Sequence, residues 1–317
     1  MVQVVDPRAQ NLRIWIERKY VQAYDIASNA GAPETYRFLP RGAAEKHLRD
    51  NNNLWTRLLL KETFGDQNGP DAKSVAQNYC RILCILTTLS KQRFIASFVN
   101  YTSLSDARLP FETRPSNFPD DPDDTHFYTK FFERQWHFCS RVLEKHTSSL
   151  IPKHEVLPIL NLDRRGTGGS ATVYRATVHE DHDQLRQSSS DDESPSTDPA
   201  HCYAIKTFRH SRRDSEPSYE QEKTAFQLLT QTRDGASPGL IAFYGGFEYG
   251  DTFNILLEYA DGGTLNEYMR DHDQPQTYQE AVDLWSHVFD TIKGLCCIHN
   301  MYLHDSGANH QRFMRQG

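Results

Sequence analysis

The chain has no apolar run long enough to cross a bilayer, which takes about 20 residues in a helix. The longest such run, Ile82 to Leu89, is far too short, and the N-terminus carries no apolar stretch of the signal-peptide kind. Six cysteines are scattered without disulfide-framework or zinc spacing: Cys80 and Cys84 sit one helical turn apart, and Cys296 and Cys297 are adjacent. Basic charge is also short. A net charge of −7 opposes the basic face that nucleic-acid binding usually requires. These absences predict an intracellular, cytoplasmic protein in a reducing compartment, with no membrane and no nucleic-acid partner. What is present is a chain of 317 residues, 38% hydrophobic, enough for two modest domains with packed cores.

Residues 1–150 read as an all-helical domain. Asp6-Pro7 has the form of an N-cap followed by proline in the first turn. Leu12, Trp15, Ile16, Tyr20, Ala23 and Tyr24 follow at helical spacing. Leu54, Trp55, Leu58 and Leu59 predict a second helix ending near Gly65. Val75, Tyr79, Ile82, Leu83 and Leu86 predict a third. Leu109 to Asp124, rich in proline and aspartate, predicts an exposed loop. Phe127, Phe131, Phe132 and Trp136 then mark an aromatic helix whose stripe is expected to be core. His126, His137 and His146 lack ligand spacing, and no catalytic constellation stands in this half.

From Val156 the pattern changes to strands, and 151–317 forms the second expected domain. Leu162 leads into Gly166-Thr167-Gly168-Gly169-Ser170-Ala171-Thr172-Val173, and a further strand closes on Tyr203-Ala204-Ile205-Lys206. Glycine is needed where backbone must approach a ligand closely. Successive backbone N–H groups in such a turn make an anion-binding concavity that suits phosphate. Between these strands, Glu180 to Pro199 is too polar to order itself and reads as a disordered loop, with Ser194-Pro195 a candidate phosphorylation site. Beyond Lys206 and a basic patch, Pro217 starts a helix. Ala225, Phe226 and Leu229 lie three, four and seven residues after Glu222, so Glu222 shares their inward stripe, whereas Glu220 points away. Leu240–Phe247 and Phe253–Tyr259 predict two more strands, and Ile255 runs on through Glu258-Tyr259-Ala260-Asp261-Gly262-Gly263.

This order of parts resembles the small lobe of the protein kinase superfamily, of Ser/Thr type. Gly166 and Gly168 match the first two glycines of its phosphate-covering loop, with Ala171 at the place of the third. Val173, Ala204 and Lys206 match its valine and its Ala-x-Lys strand. The resemblance implies an α+β fold: a five-stranded antiparallel sheet with its helix over about 156–260, then the start of a helical large lobe over 261–300. It implies ATP as ligand, with Gly166, Gly168 and Gly169 over the phosphates and Lys206 holding them, oriented by Glu222. Leu257 would be the gatekeeper, with the Glu258 carbonyl and Ala260 N–H at the adenine edge. A helical region also precedes the kinase domain in some fungal kinase-like proteins, a loose resemblance.

The resemblance then stops. Tyr278 to His299 reads as the long helix before the catalytic loop, with Trp285, Val288, Phe289, Ile292, Leu295 and Cys296 as a buried stripe. His304-Asp305 lacks the arginine of H-R-D, position 307 is glycine, and Asn309 stands one place early. No D-F-G or A-P-E follows, and 301–317 reads as a divergent tail. Mg²⁺ would enter only with a complete large lobe. Three alternatives remain open: a kinase whose second half is missing from this sequence, a pseudokinase or scaffold for an unknown protein partner, and a non-functional fragment.

Overall fold

Proline in the first turn and two basic residues in the last bracket α1, Pro7–Lys19. The computed structural model describes residues 7–27, 35–65, 69–145, 147–186, 201–209, 215–231, 240–271 and 273–304. Asp6, Ser194 and the tail from 305 onward lie outside them. α1 ends earlier than the spacing of Tyr20, Ala23 and Tyr24 predicts. Val21–Tyr24 is a strand, β1, paired antiparallel with β2, Thr35–Phe38. The unit containing it is therefore not all-helical. Burial decides it: Ala23 and Phe38 pack with Val156 in a small core of their own, and pairing also satisfies the backbone.

α2, Ala43–Phe64, is two helical pieces around a turn at Asp50–Asn53, where three successive asparagines adopt left-handed backbone. Asparagine is the non-glycine residue that best tolerates this region. Gly65, φ 77°, closes the helix, its N–H donating to the Lys61 carbonyl at 2.8 Å. The predicted third helix is broken at Tyr79 into α3, Ala72–Asn78, and α4, Cys80–Thr88. Ile82 through Leu86 are fully buried, each large apolar side chain contributing about 1.5–3 kcal/mol. So the longest apolar run is a core helix, and among the described residues no helix is long and apolar enough to cross a membrane. α5, Phe127–Gln135, adds Phe127 and Phe131 to the same core. The Leu109–Asp124 loop is not simply exposed. Phe111 and Phe118 are buried against Phe131, and Gln135 holds Phe111 through both backbone groups, at 2.8 and 3.1 Å.

The chain divides into two compact units that interleave in sequence and do not meet at one point near 150. One comprises Met1–Leu143, Pro152–Asn161 and Val178–Gln184; the other Glu144–Ile151, Leu162–Thr177 and Leu185–Gly317. The described start of the expected disordered loop is folded: His182 and Leu185 are buried. The strands of the large sheet are β3, Thr147–Ile151; β4, Ile159–Thr167; β5, Ala171–Val178; β6, Cys202–Arg209; β7, Phe243–Tyr249; and β8, Thr252–Glu258. They form one sheet in the order β3-β7-β8-β6-β5-β4. It is six-stranded and mixed, not five-stranded and antiparallel, because β3 adds parallel to β7. Mixed helix and sheet make the protein α+β.

α6, Ser215–Gln231, packs on the sheet. α7, Leu265–Asp271, and α8, Tyr278–His304, follow. Thr264 with Glu267, and Thr277 with Glu280, form reciprocal capping pairs that start the last two helices. α8 runs five residues past the expected His299, and no glycine or proline intervenes before Gly307. Its apolar stripe is not buried: Trp285 is 58% exposed, Phe289 56%, Ile292 47% and Leu295 50%. The described residues offer these side chains too little apolar surface to cover them.

His182 Nε2 accepts the Arg41 N–H at 3.0 Å while Nδ1 faces the Arg141 carbonyl at 3.1 Å, which requires a neutral ring. Burial pushes its pKa down to about 4, and burial with the Arg134 and Arg37 charges does the same to His137. Unfolded histidine takes a proton near pH 6.5, so this stability is complete above that pH and lost as pH falls toward 4. Each shift corresponds to about 3 kcal/mol. Thermal melts at pH 7.5 and 4.5 should drop less for His182→Gln than for wild type; an equal drop contradicts the assignment. Separately, Trp285→Lys with Phe289→Lys should lower concentration-dependent light scattering, and unchanged scattering would mean the stripe drives no association.

Candidate functional site

The turn between β4 and β5 is closed by the Gly168 N–H donating to the Ala171 carbonyl at 2.8 Å, and Arg164 Nε donates to Thr167 Oγ1 at 2.9 Å. A Cβ added at Gly166 or Gly169 would meet nothing within 4 Å, and neither has positive φ. In this conformation the fold itself does not require glycine there. What the missing side chains do is leave the turn's backbone open to approach.

Past the turn, register builds one face of the sheet. Val173 lies opposite Lys206, which lies opposite Ile255; Arg175 lies opposite Ala204, which lies opposite Leu257. Directly paired antiparallel residues share a face, as do residues two apart. Ala171, Val173 and Arg175 of β5 therefore share a face with Ala204, Lys206 and Phe208 of β6. α6 covers part of it. Tyr219 stacks on Phe253 at 5.0 Å, and Phe226 stacks on Phe243 at 5.5 Å, 7° from parallel. Those apolar contacts set the helix's height and rotation.

They also bring Glu222 to Lys206. The ammonium donates to Oε1 at 2.8 Å and Oε2 at 2.6 Å, and lies 5.5 Å over the Phe208 ring. Both side chains are about 28–29% exposed, so each is partly desolvated yet open on one side. Glu220 instead pairs with Lys223 at 2.6 Å and is 53% exposed. Glu222, on the stripe of Phe226, is the glutamate that faces the strand.

Of the other positions singled out in the sequence, Leu257 is buried, Ala204 and Val173 half-buried, and Ala260 exposed. Glu258 is tied to Ala242 twice: its N–H donates to the Ala242 carbonyl at 2.9 Å, and its carboxylate accepts the Ala242 N–H at 2.8 Å. Elsewhere, shifted groups serve structure. Burial pushes Asp106 up to about 6, and it accepts the Arg81 and Ile82 N–H groups at 2.9 and 3.0 Å, capping α4 from a distance. Among the described residues no cluster of three His, Cys, Asp or Glu could hold a metal ion.

Sequence reasoning missed Gly246. A Cβ there would stand 2.8 Å from Tyr219 Oη and 3.0 Å from Lys223 Cδ, so its absence lets α6 lie close on β7. A glycine inside an apolar strand is the usual sign of such an approach. Arg165 and Arg175, which converge on Tyr259 at 6.0 and 5.4 Å, were missed as well.

No family model matches the chain, and no curated protein matches it. The crystal structure of a kinase domain is similar over 43% of this chain, at 15% identity and a TM-score of 0.30. The match spans 34% of that chain, about a third of its length.

Gly246→Ala should lift α6 from the sheet, lowering stability by about 1–3 kcal/mol. Denaturant titration checks this; a midpoint within error of wild type would show that Lys223 and Tyr219 simply step aside.

Proposed function

We propose that the second unit is a nucleotide-gripping module of protein-kinase type, with ATP bound between the glycine turn and Lys206. The observation that carries this is the Lys206–Glu222 pair at 2.6–2.8 Å on the face that also presents Val173, Ala204 and Leu257. A lysine cation partly exposed and held by one carboxylate suits a polyphosphate, because the carboxylate fixes the ammonium without saturating its three donors. The open backbone at Gly166 and Gly169 suits the same guest. In this arrangement Lys206 binds phosphate oxygens, Glu222 positions Lys206, and the Gly166–Ala171 turn covers the phosphates. Val173, Ala204 and Leu257 offer apolar contact to the base, beside the backbone of Glu258 and Ala260.

Mg²⁺ is usually held by one or two carboxylates together with a nucleotide's own phosphates, and no step is assigned to a metal here. The 317 residues also contain no H-R-D or D-F-G. A general base alone is typically worth about 10²–10⁴ in rate. What is proposed for these 317 residues is therefore nucleotide binding, and no phosphoryl-transfer step is assigned to them.

A ligand at about a hundred times its Kd adds about 2.7 kcal/mol to stability. ATP should accordingly raise the melting temperature of wild type by several degrees. Lys206→Met should abolish that rise while leaving the ligand-free melt nearly unchanged, since a partly exposed ion pair contributes about 0–1 kcal/mol. An ATP shift of wild-type size in the variant would place the nucleotide elsewhere.

A further inference from the structure

We infer that the base end of this site reads a 6-oxopurine, so that guanine nucleotides bind at least as tightly as ATP. The inference rests on the nucleotide site proposed above and names its ligand class. Arg175 stands in the row with Ala204 and Leu257, one pairing step beyond Val173 and Lys206 along the same face. Its guanidinium lies 5.4 Å over the ring of Tyr259, the residue that follows β8. Arg165, immediately before Gly166, lies 6.0 Å over the same ring. Two guanidiniums from the strands entering and leaving the glycine turn thus converge where the base is expected, in place of purely apolar walls.

These cations are weakly satisfied. Arg175 Nη2 reaches only the Cys202 sulfur, at 3.6 Å, and its Nε–H is buried without an acceptor. The one carboxylate charge that acts on Arg175 is that of Asp163, without a direct ion pair. A guanidinium has donors and no acceptor. It therefore favours a base edge made of acceptors, such as O6 with N7 of guanine, and gains less from adenine, whose 6-amino group is itself a donor. Its planar face also stacks on a purine whatever the edge, so the readout is expected to separate at O6.

The test is equilibrium binding of GTP, ITP and ATP to the full chain by calorimetry. Wild type should bind GTP and ITP alike, because ITP keeps O6 and N7 but lacks the 2-amino group, and should bind ATP no more tightly. Arg175→Leu should weaken GTP and ITP roughly tenfold while changing ATP within about twofold. Arg175→Lys keeps the charge but loses the fork, and should weaken GTP almost as much. Unchanged far-UV circular dichroism certifies each variant's fold. Tighter ATP than GTP in wild type, equal losses for both nucleotides in Arg175→Leu, or full GTP affinity in Arg175→Lys would each overturn the inference while leaving the nucleotide site standing. Wild type binding no nucleotide, or binding them as well in Lys206→Met, would overturn the site beneath it.

Discussion

The contact on which the candidate site of the second unit depends is an ammonium meeting a carboxylate between strand and helix, each only partly shielded from water. Such a pair does little to hold the helix down. Partly exposed charges gain about 0–1 kcal/mol from each other, and fuller burial would raise a desolvation cost that the attraction barely offsets. The stacked rings of Tyr219 on Phe253 and Phe226 on Phe243 do the holding. The absent side chain at Gly246 permits the short distance, and Glu222 then needs no further force to reach Lys206. Position is supplied by apolar packing, and charge is left available for a ligand.

The two units contrast in how they treat apolar helices. In the first, α4 is sealed on every side, with Ile82 to Leu86 fully buried. In the second, α8 carries comparable side chains in the open, with Trp285 and Phe289 more than half exposed. The hydrophobic effect counts area removed from water, so the same composition contributes to stability in one helix and to association in the other. Capping at Thr264–Glu267 and Thr277–Glu280 explains how α7 and α8 can start cleanly even without a tight core around them.

Much of this was legible from local rules. The glycine turn is legible from its glycines, the strand carrying Lys206 from its place after that turn, and the choice of Glu222 over Glu220 from the 3.6-residue period. What was not legible depends on partners distant in sequence. Val21–Tyr24 continues the helical spacing of α1, yet pairs as a strand because Phe38 and Val156 complete a core around Ala23. The parallel addition of β3 to β7 leaves no local trace, since Thr147–Ile151 and Phe243–Tyr249 are far apart in the chain. The proline- and aspartate-rich loop hides two buried phenylalanines because Gln135, a residue outside it, satisfies its backbone. Periodicity marked the stripe of α8 as apolar, but burial needs a second surface.

The central claim is that Lys206 faces a bound nucleotide's phosphates, and direct chemical labelling tests it. An acyl phosphate of ADP, a mixed anhydride, transfers its acyl group to a lysine amine lying beside the phosphates, releasing ADP. Peptide mapping by mass spectrometry after brief exposure should find Lys206 labelled ahead of the other lysines, with the label suppressed by excess unmodified nucleotide. Label spread evenly over surface lysines such as Lys130 and Lys293, with Lys206 unprotected by nucleotide, would contradict the account.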